Sequence, residues 1–304
     1  MDDGYRLPLR HWGNPEKDKA IILALHGLND YGTAFESTGD YLRSKGISLI
    51  SYDQRGFGET HGPGYWHGSQ RMIKDNLDVL HLLRQRYPDK TLILLGESMG
   101  GAIALATLGQ LNTEIDGTIL LAPAIWSRQS MPWYQRALLW VAVHTAPAKE
   151  LTGEGLDIMP SDNIEMLRAL GRDPLVIKAT RVDVLYGVTN LMDISARASL
   201  NFTQKSLIMY GKHDDIVPRE PTCNWLKSLP DIDQNNLNMR KILIYRNGYH
   251  MLNRDLQALQ VLDDIVAWVL GIAKNDIDKT SLLTGDQNQQ DTYISLEGFC
   301  GIRN

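Results

Sequence analysis

Gly96-Glu97-Ser98-Met99-Gly100 sets a serine between two glycines, directly after the apolar run Thr91 to Leu95 and directly before the helix-like stretch GAIALATL. A strand, a sharp turn and a helix in that order hold a serine hydroxyl above a sheet at the start of a helix. Near neutral pH that hydroxyl is a poor nucleophile, so an imidazole must take its proton and a carboxylate must orient the imidazole. Both follow in the chain. Asp214 lies in Gly211-Lys212-His213-Asp214-Asp215-Ile216-Val217-Pro218, just after the run SLIMY, and His250 lies in Asn247-Gly248-Tyr249-His250, just after KILIY. If each run is a strand of one parallel sheet, all three groups leave the same edge of it. Asp215 adjoins Asp214, and turn geometry rather than composition decides between them. Acyl transfer passes through a tetrahedral oxyanion that needs two backbone donors. The N–H of Met99 is the expected first, and the loop His26-Gly27-Leu28-Asn29 supplies the second, expected from Leu28.

This chemistry calls for no cofactor and no metal. His11, His26, His61, His67, His81, His144 and His213 read as structural or solvated, since none follows a strand after the acid loop. His61 and His67 flank Trp66 in a Gly/Pro-rich loop, but no cysteine or acidic cluster stands near enough to make a metal site.

The elements that must position these groups can be read from periodicity. Strands are expected at Ala20 to Leu25, Ile47 to Tyr52, Thr91 to Leu95, Thr118 to Leu121, Ser206 to Tyr210 and Lys241 to Tyr245. Helices are expected at about Ala34 to Ser44, Gln70 to Tyr87, Gly100 to Leu111, Pro221 to Leu229 and Asp255 to Leu270. The alternation implies an α/β class, a mostly parallel sheet with helices on both faces. It stops between Pro123 and about Leu200, where helical periodicity runs on with no convincing strand. That stretch reads as an inserted helical cap, with a capping box at Asp162 and Glu165, a helix stop at Gly171 and a new start at Asp173-Pro174. The division expected is a core of residues 1–122 and 201–272, a cap of 123–200, and a polar, loosely ordered tail of 273–304 containing DQNQQD. Tyr5 to Trp12 alternates like a strand that begins almost at Met1. This leaves room for a hairpin partner and a targeting segment ahead of it.

The chain has 304 residues, 43% hydrophobic and 22% charged, with a net charge of -5, so a packed core is expected and a nucleic-acid partner is not. The amino terminus lacks a signal-peptide pattern and no long apolar run spans a bilayer, which gives a cytoplasmic expectation. Cys223 and Cys300 share no CxxC spacing and read as two reduced thiols.

HGLND at 26 to 30, YDQRGFGET at 52 to 60, GESMGG at 96 to 101, RDPLVIKA at 172 to 179, GKHDDIVP at 211 to 218 and NGYHML at 247 to 252 carry a resemblance. Together they resemble the monoacylglycerol lipase and lysophospholipase branch of the α/β-hydrolases, grouped also as serine aminopeptidase-like hydrolases, over about residues 4 to 270. The resemblance implies the α/β-hydrolase fold, and a nucleophile, acid and base at Ser98, Asp214 and His250. It also implies oxyanion donors at Leu28 and Met99, and a small lipid-like ester as substrate. Thr60 stands where serine is usual. A serine rather than a carboxylate at the elbow argues against haloalkane dehalogenase or epoxide hydrolase chemistry. The alternatives are a proline iminopeptidase-type peptidase, which an acidic pocket for a free amine would favour, and a non-catalytic binding module on the same fold. Within the cap, Trp133, Ala137, Trp140 and His144 share one helical face. That face packs inside the cap, lines an acyl-chain channel, or makes transient contact with a membrane surface.

Overall fold

Continuous apolar runs bounded by turns become the strands, because a parallel strand covered by helices on both faces buries every side chain. The structure is a computed structural model that describes residues 1–111, 113–153, 155, 157–230, 240–274 and 292–301. Strands β1 (Leu9–Trp12), β2 (Ala20–Leu25), β3 (Ile47–Tyr52), β4 (Thr91–Glu97) and β5 (Gly117–Leu121) come first. The sheet is completed by β8 (Ser206–Gly211), β9 (Arg240–Tyr245) and β10 (Tyr293–Ile294), in the order β1-β3-β2-β4-β5-β8-β9-β10. Only the edges, β1 against β3 and β10 against β9, are antiparallel. All six residues of β2 are buried, and the strand expectation there holds to the residue.

The two faces carry separate cores. Ile21, Leu23 and Leu25 point to the face covered by α2 (Ser69–Arg86), α3 (Met99–Leu108), α6 (Val182–Ser199) and α7 (Arg219–Ser228). Ala20, Ile22 and Ala24 point to the face covered by α1 (Glu36–Ser44) and α8 (Ala258–Ala273). Chain order matters here. β2 is followed by β3 on one side and β4 on the other, so the crossovers diverge between β2 and β4. A crevice opens at such a point, beyond the carboxyl ends of the strands.

Between β5 and β8 lie α4 (Trp133–Thr145), β6 (Glu150–Thr152), α5 (Ile164–Arg172), β7 (Ala179–Arg181) and α6. The expectation of no strand in this stretch fails. β6 and β7 pair antiparallel from Glu150↔Arg181 to Thr152↔Ala179, and three residues are too short for alternation to register. The caps shift as well. Asn163, not Asp162, accepts the Met166 N–H at the start of α5, while Asp162 accepts the N–H of Leu256. α5 runs through Gly171 to Arg172, and Asp173-Pro174 leads to β7 rather than to a helix. α6 packs on α3: the Ser195 hydroxyl donates to the Ala102 carbonyl at 2.7 Å, and Gly187 makes room for the Trp66 ring.

The terminal expectation needs correction too. Residues 275–291, including DQNQQD, lie outside the described residues. Residues 292–301 form β10 and α9 (Leu296–Cys300), with Phe299 buried against the core. Cys223 and Cys300 are not reduced thiols: they form a disulfide that joins α9 to α7. Burial of Phe299 and pairing of β10 with β9 bring the two sulfurs together across 77 residues, which no spacing rule detects.

Candidate active site

Ser98 sits between β4 and α3 with φ 52 and ψ -115, a region that a side chain with a Cβ rarely adopts. Its backbone is held on every side. The Ser98 N–H donates to Leu121 O at 2.9 Å, and its carbonyl accepts from Ala102 at 3.1 Å and Ala124 at 2.9 Å. Both flanking glycines are required: a Cβ on Gly96 would lie 2.4 Å from Gly100 O, and one on Gly100 would lie 2.1 Å from Leu25 O. Strain over-determined by its surroundings marks a functional turn, and this one leaves the Ser98 side chain partly exposed.

The histidine and acid loops meet at the ends of β8 and β9. His213 N–H donates to Gly248 O at 2.9 Å, so the two loops are stitched together by backbone. His250 Nδ1 lies 2.8 Å from Asp214 Oδ2, with both side chains nearly inaccessible. The other Asp214 oxygen accepts the N–H groups of Ile216 and Val217 at 2.9 and 3.0 Å. That local turn settles which aspartate faces the ring, and Asp215 is left exposed. Burial alone would depress the His250 pKa. The Asp214 carboxylate, by its charge and its hydrogen bond, more than offsets this and leaves His250 above its ordinary value.

The loop after β2 runs beside the serine. A Cβ on Gly27 would lie 3.4 Å from Ser98 Cβ. Gln54 donates its N–H to His26 Nε2 at 3.0 Å, so the His26 proton is on Nδ1, which donates to Gly27 O at 2.8 Å. Burial depresses the His26 pKa, in keeping with this neutral ring. With the Gly27 carbonyl taken, the Leu28 N–H of the same trans peptide points the opposite way, and it makes no hydrogen bond within the described residues. The Met99 N–H, in the first turn of α3, likewise has no intrahelical acceptor.

Sequence reasoning missed the group that ties these loops together. Arg254 is buried; its Nη1 lies 2.7 Å from Asp30 Oδ2 and its Nη2 2.9 Å from Glu97 Oε1. Asp30 belongs to the β2 loop, Glu97 precedes Ser98, and Arg254 follows His250 by four residues. One guanidinium therefore joins three loops, and removing one partner from such a buried set typically costs about 3–5 kcal/mol. The only signal was an acidic residue inside each of the motifs HGLND and GESMGG and an arginine two residues beyond NGYHML. Thr60 also finds its place: its hydroxyl donates to Phe57 O at 2.7 Å and accepts from Gly56 N at 3.1 Å, as a serine could. Among the described residues no group of three His, Cys, Asp or Glu could hold a metal.

Residues 16–257 match the family described as Serine aminopeptidase, S33. The chain belongs to this family. The chain is similar to the monoglyceride lipase of Rattus norvegicus, 25% identical over 272 residues and covering 88% of each chain. The monoacylglycerol lipase of Mycolicibacterium smegmatis is 20% identical, covering 88% of this chain and 94% of its own. Among solved structures, the Paleococcus ferrophilus monoacylglycerol lipase superposes with a TM-score of 0.73 at 20% identity, covering 88% and 99% of the two chains. The α/β-hydrolase fold and the family read from the motifs are therefore borne out, and the protein is a hydrolase.

Proposed function

We propose that the protein cleaves carboxylic esters with apolar acyl tails, monoacylglycerols first and lysophospholipids second, through an acyl-Ser98 intermediate. The observation that carries this is the His250–Asp214 bond on the same edge of the parallel sheet as a strained, partly exposed Ser98. A proton held on Nδ1 by Asp214 leaves His250 Nε2 as the acceptor. Ser98 Oγ attacks the ester carbonyl and passes its proton to Nε2. The Leu28 and Met99 N–H groups take the oxyanion. His250 then returns the proton to the departing glycerol or glycerophospho alcohol, and water repeats the cycle to free the fatty acid.

Two observations favour an ester over an aminoacyl substrate. The buried carboxylates around Ser98 are already engaged: Asp214 by His250, and Asp30 and Glu97 by Arg254. Each of these three carboxylates already faces an imidazole or a guanidinium rather than standing free for an amine. The cap also presents apolar surface. No residue of α4 is buried, Trp133 is 73% and Leu138 67% exposed, and Trp140, Val141, Ile158 and Met159 are exposed as well. Surface of this kind fits transient contact with the lipid that carries the substrate.

The test is a hydrolysis panel of monoacylglycerols, lysophospholipids and aminoacyl anilides. Cleavage of the first two is expected; an aminoacyl anilide as the fastest substrate would overturn the reading. The pH profile supplies a second check. A base must be neutral, and His250 titrates above its ordinary 6.5, so kcat/KM should rise through an ionisation above that value and then level off. A profile flat from pH 5 to 9 would remove His250 from its role.

Among the described residues no helix is long and apolar enough to cross a membrane. A cytoplasmic setting would keep most cysteines reduced, so the Cys223–Cys300 disulfide favours an oxidising compartment instead.

A further inference from the structure

Immediately after the Arg254 guanidinium turns inward, the next side chain turns toward the cap. Asp255 is 3% exposed. Its Oδ2 accepts the N–H of Tyr249, the residue before His250, at 2.8 Å, and its Oδ1 accepts the Ser161 hydroxyl at 2.6 Å. Around this pair the segment Pro160–Asn163, which leads into α5, is fastened to the histidine loop. Met251 N–H donates to Pro160 O at 3.0 Å, Leu256 N–H to Asp162 Oδ1 at 2.8 Å, and Asn163 Nδ2 to Arg254 O at 3.0 Å. Ser161 Oγ in turn accepts the Asn163 N–H at 3.2 Å. A lid that swings freely as a whole would not place four bonds on the loop that carries the base.

We propose that Asp255 is a positioning residue, fixing the backbone on which the His250 ring stands and making the docking of the Pro160–Asn163 segment part of that placement. The proposal rests on His250 acting as the base. It follows that this side of the cap is anchored, and that any opening for substrate takes place elsewhere in the cap.

Charge adds a control to the clasp. Burial, together with the neighbouring Asp162 carboxylate, pushes the Asp255 pKa up, while the bonds from Ser161 and Tyr249 and the nearby His250 pull it down; the balance raises it to about 6. Arg254 faces toward Asp30 and Glu97, and the His213 ring stacks on the Tyr249 ring. Ionised Asp255 accepts both bonds with the added strength of a charge. Once protonated it must reverse the bond to Ser161, and the clasp weakens.

The test uses the full chain, a short water-soluble ester, and pH profiles from 5 to 8.5 for the parent, Asp255→Asn, Asp255→Ala and Ser161→Ala. In the parent, the acid limb of kcat/KM is expected to contain a second ionisation near 6 below that of His250. Asp255→Asn should show a single ionisation. Asp255→Ala should lose at least about tenfold in kcat with little change in KM, as expected when a transition-state geometry rather than uniform binding is lost. Asn should recover part of that loss, because its amide oxygen still accepts the Tyr249 N–H. Ser161→Ala should lower kcat even on this short ester, which a lid serving only long acyl chains would not do. Should Asp255→Ala fail to fold, the Asn profile decides. Superimposable profiles for the parent and Asp255→Asn overturn the proposal. His250→Ala separates the two readings: if it is inactive while the Asp255 variants match the parent, only this inference falls.

Discussion

Replacing Ser98 with alanine is expected to lower kcat by about 10⁵- to 10⁶-fold, the size of effect seen when a nucleophile acting as one unit with its base is removed. Folding should be spared. Alanine and serine share the Cβ that makes φ 52 unfavourable, so the strain at the elbow is the same in both, and the backbone bonds from Leu121, Ala102 and Ala124 survive. The unfolding midpoint should therefore stay within about 2 °C of the parent. A fluorophosphonate should label the parent at one site and leave the variant unlabelled. An adduct on any other residue, or turnover that persists in the variant, would displace Ser98 from its role.

The second large effect concerns the disulfide. Joining residues separated by 77 positions removes loop entropy from the unfolded chain, worth up to about 4.5 kcal/mol by the chain-entropy estimate. Reduction with a thiol, or Cys300→Ser, is expected to lower stability by a large part of that amount, read from urea or thermal unfolding with and without reductant. Coincident curves in the two conditions would show that the covalent link contributes nothing. The sign follows from the cross-link acting on the unfolded state, and the clasp of Phe299 and Tyr293 on the core adds to it in the folded state.

Those two predictions draw on very different amounts of sequence information. The elbow was legible because its chemistry is local: a glycine on each side of Ser98, a strand before and a helix after. The same is true of β2 and β4, whose unbroken apolar runs end at turns. Asp214 and Asp215 could not be separated from composition, since both sit in one loop. The choice was made by the N–H groups of Ile216 and Val217, which fix one carboxylate in place. The disulfide, the Arg254 triad and the Asp255 clasp were illegible for another reason. Each is a contact between loops far apart in the chain, and becomes visible only when the sheet has brought β2, β4 and β9 side by side. The cap was misread in detail because β6 and β7 are only three residues each.

The strand β10 has a use beyond holding the chain's end. β9 carries Ile242, Leu243 and Ile244, and on its outer side the amides would face solvent if nothing lay against them. β10 covers part of that border, pairing Tyr293 with Tyr245 and Ile294 with Ile244. Bare apolar borders of this kind recruit strands from other molecules. Once the sulfur link is cut, the short segment that shields this border loses its covalent clamp to α7. Thiol treatment should then promote self-association of the folded protein before it promotes unfolding.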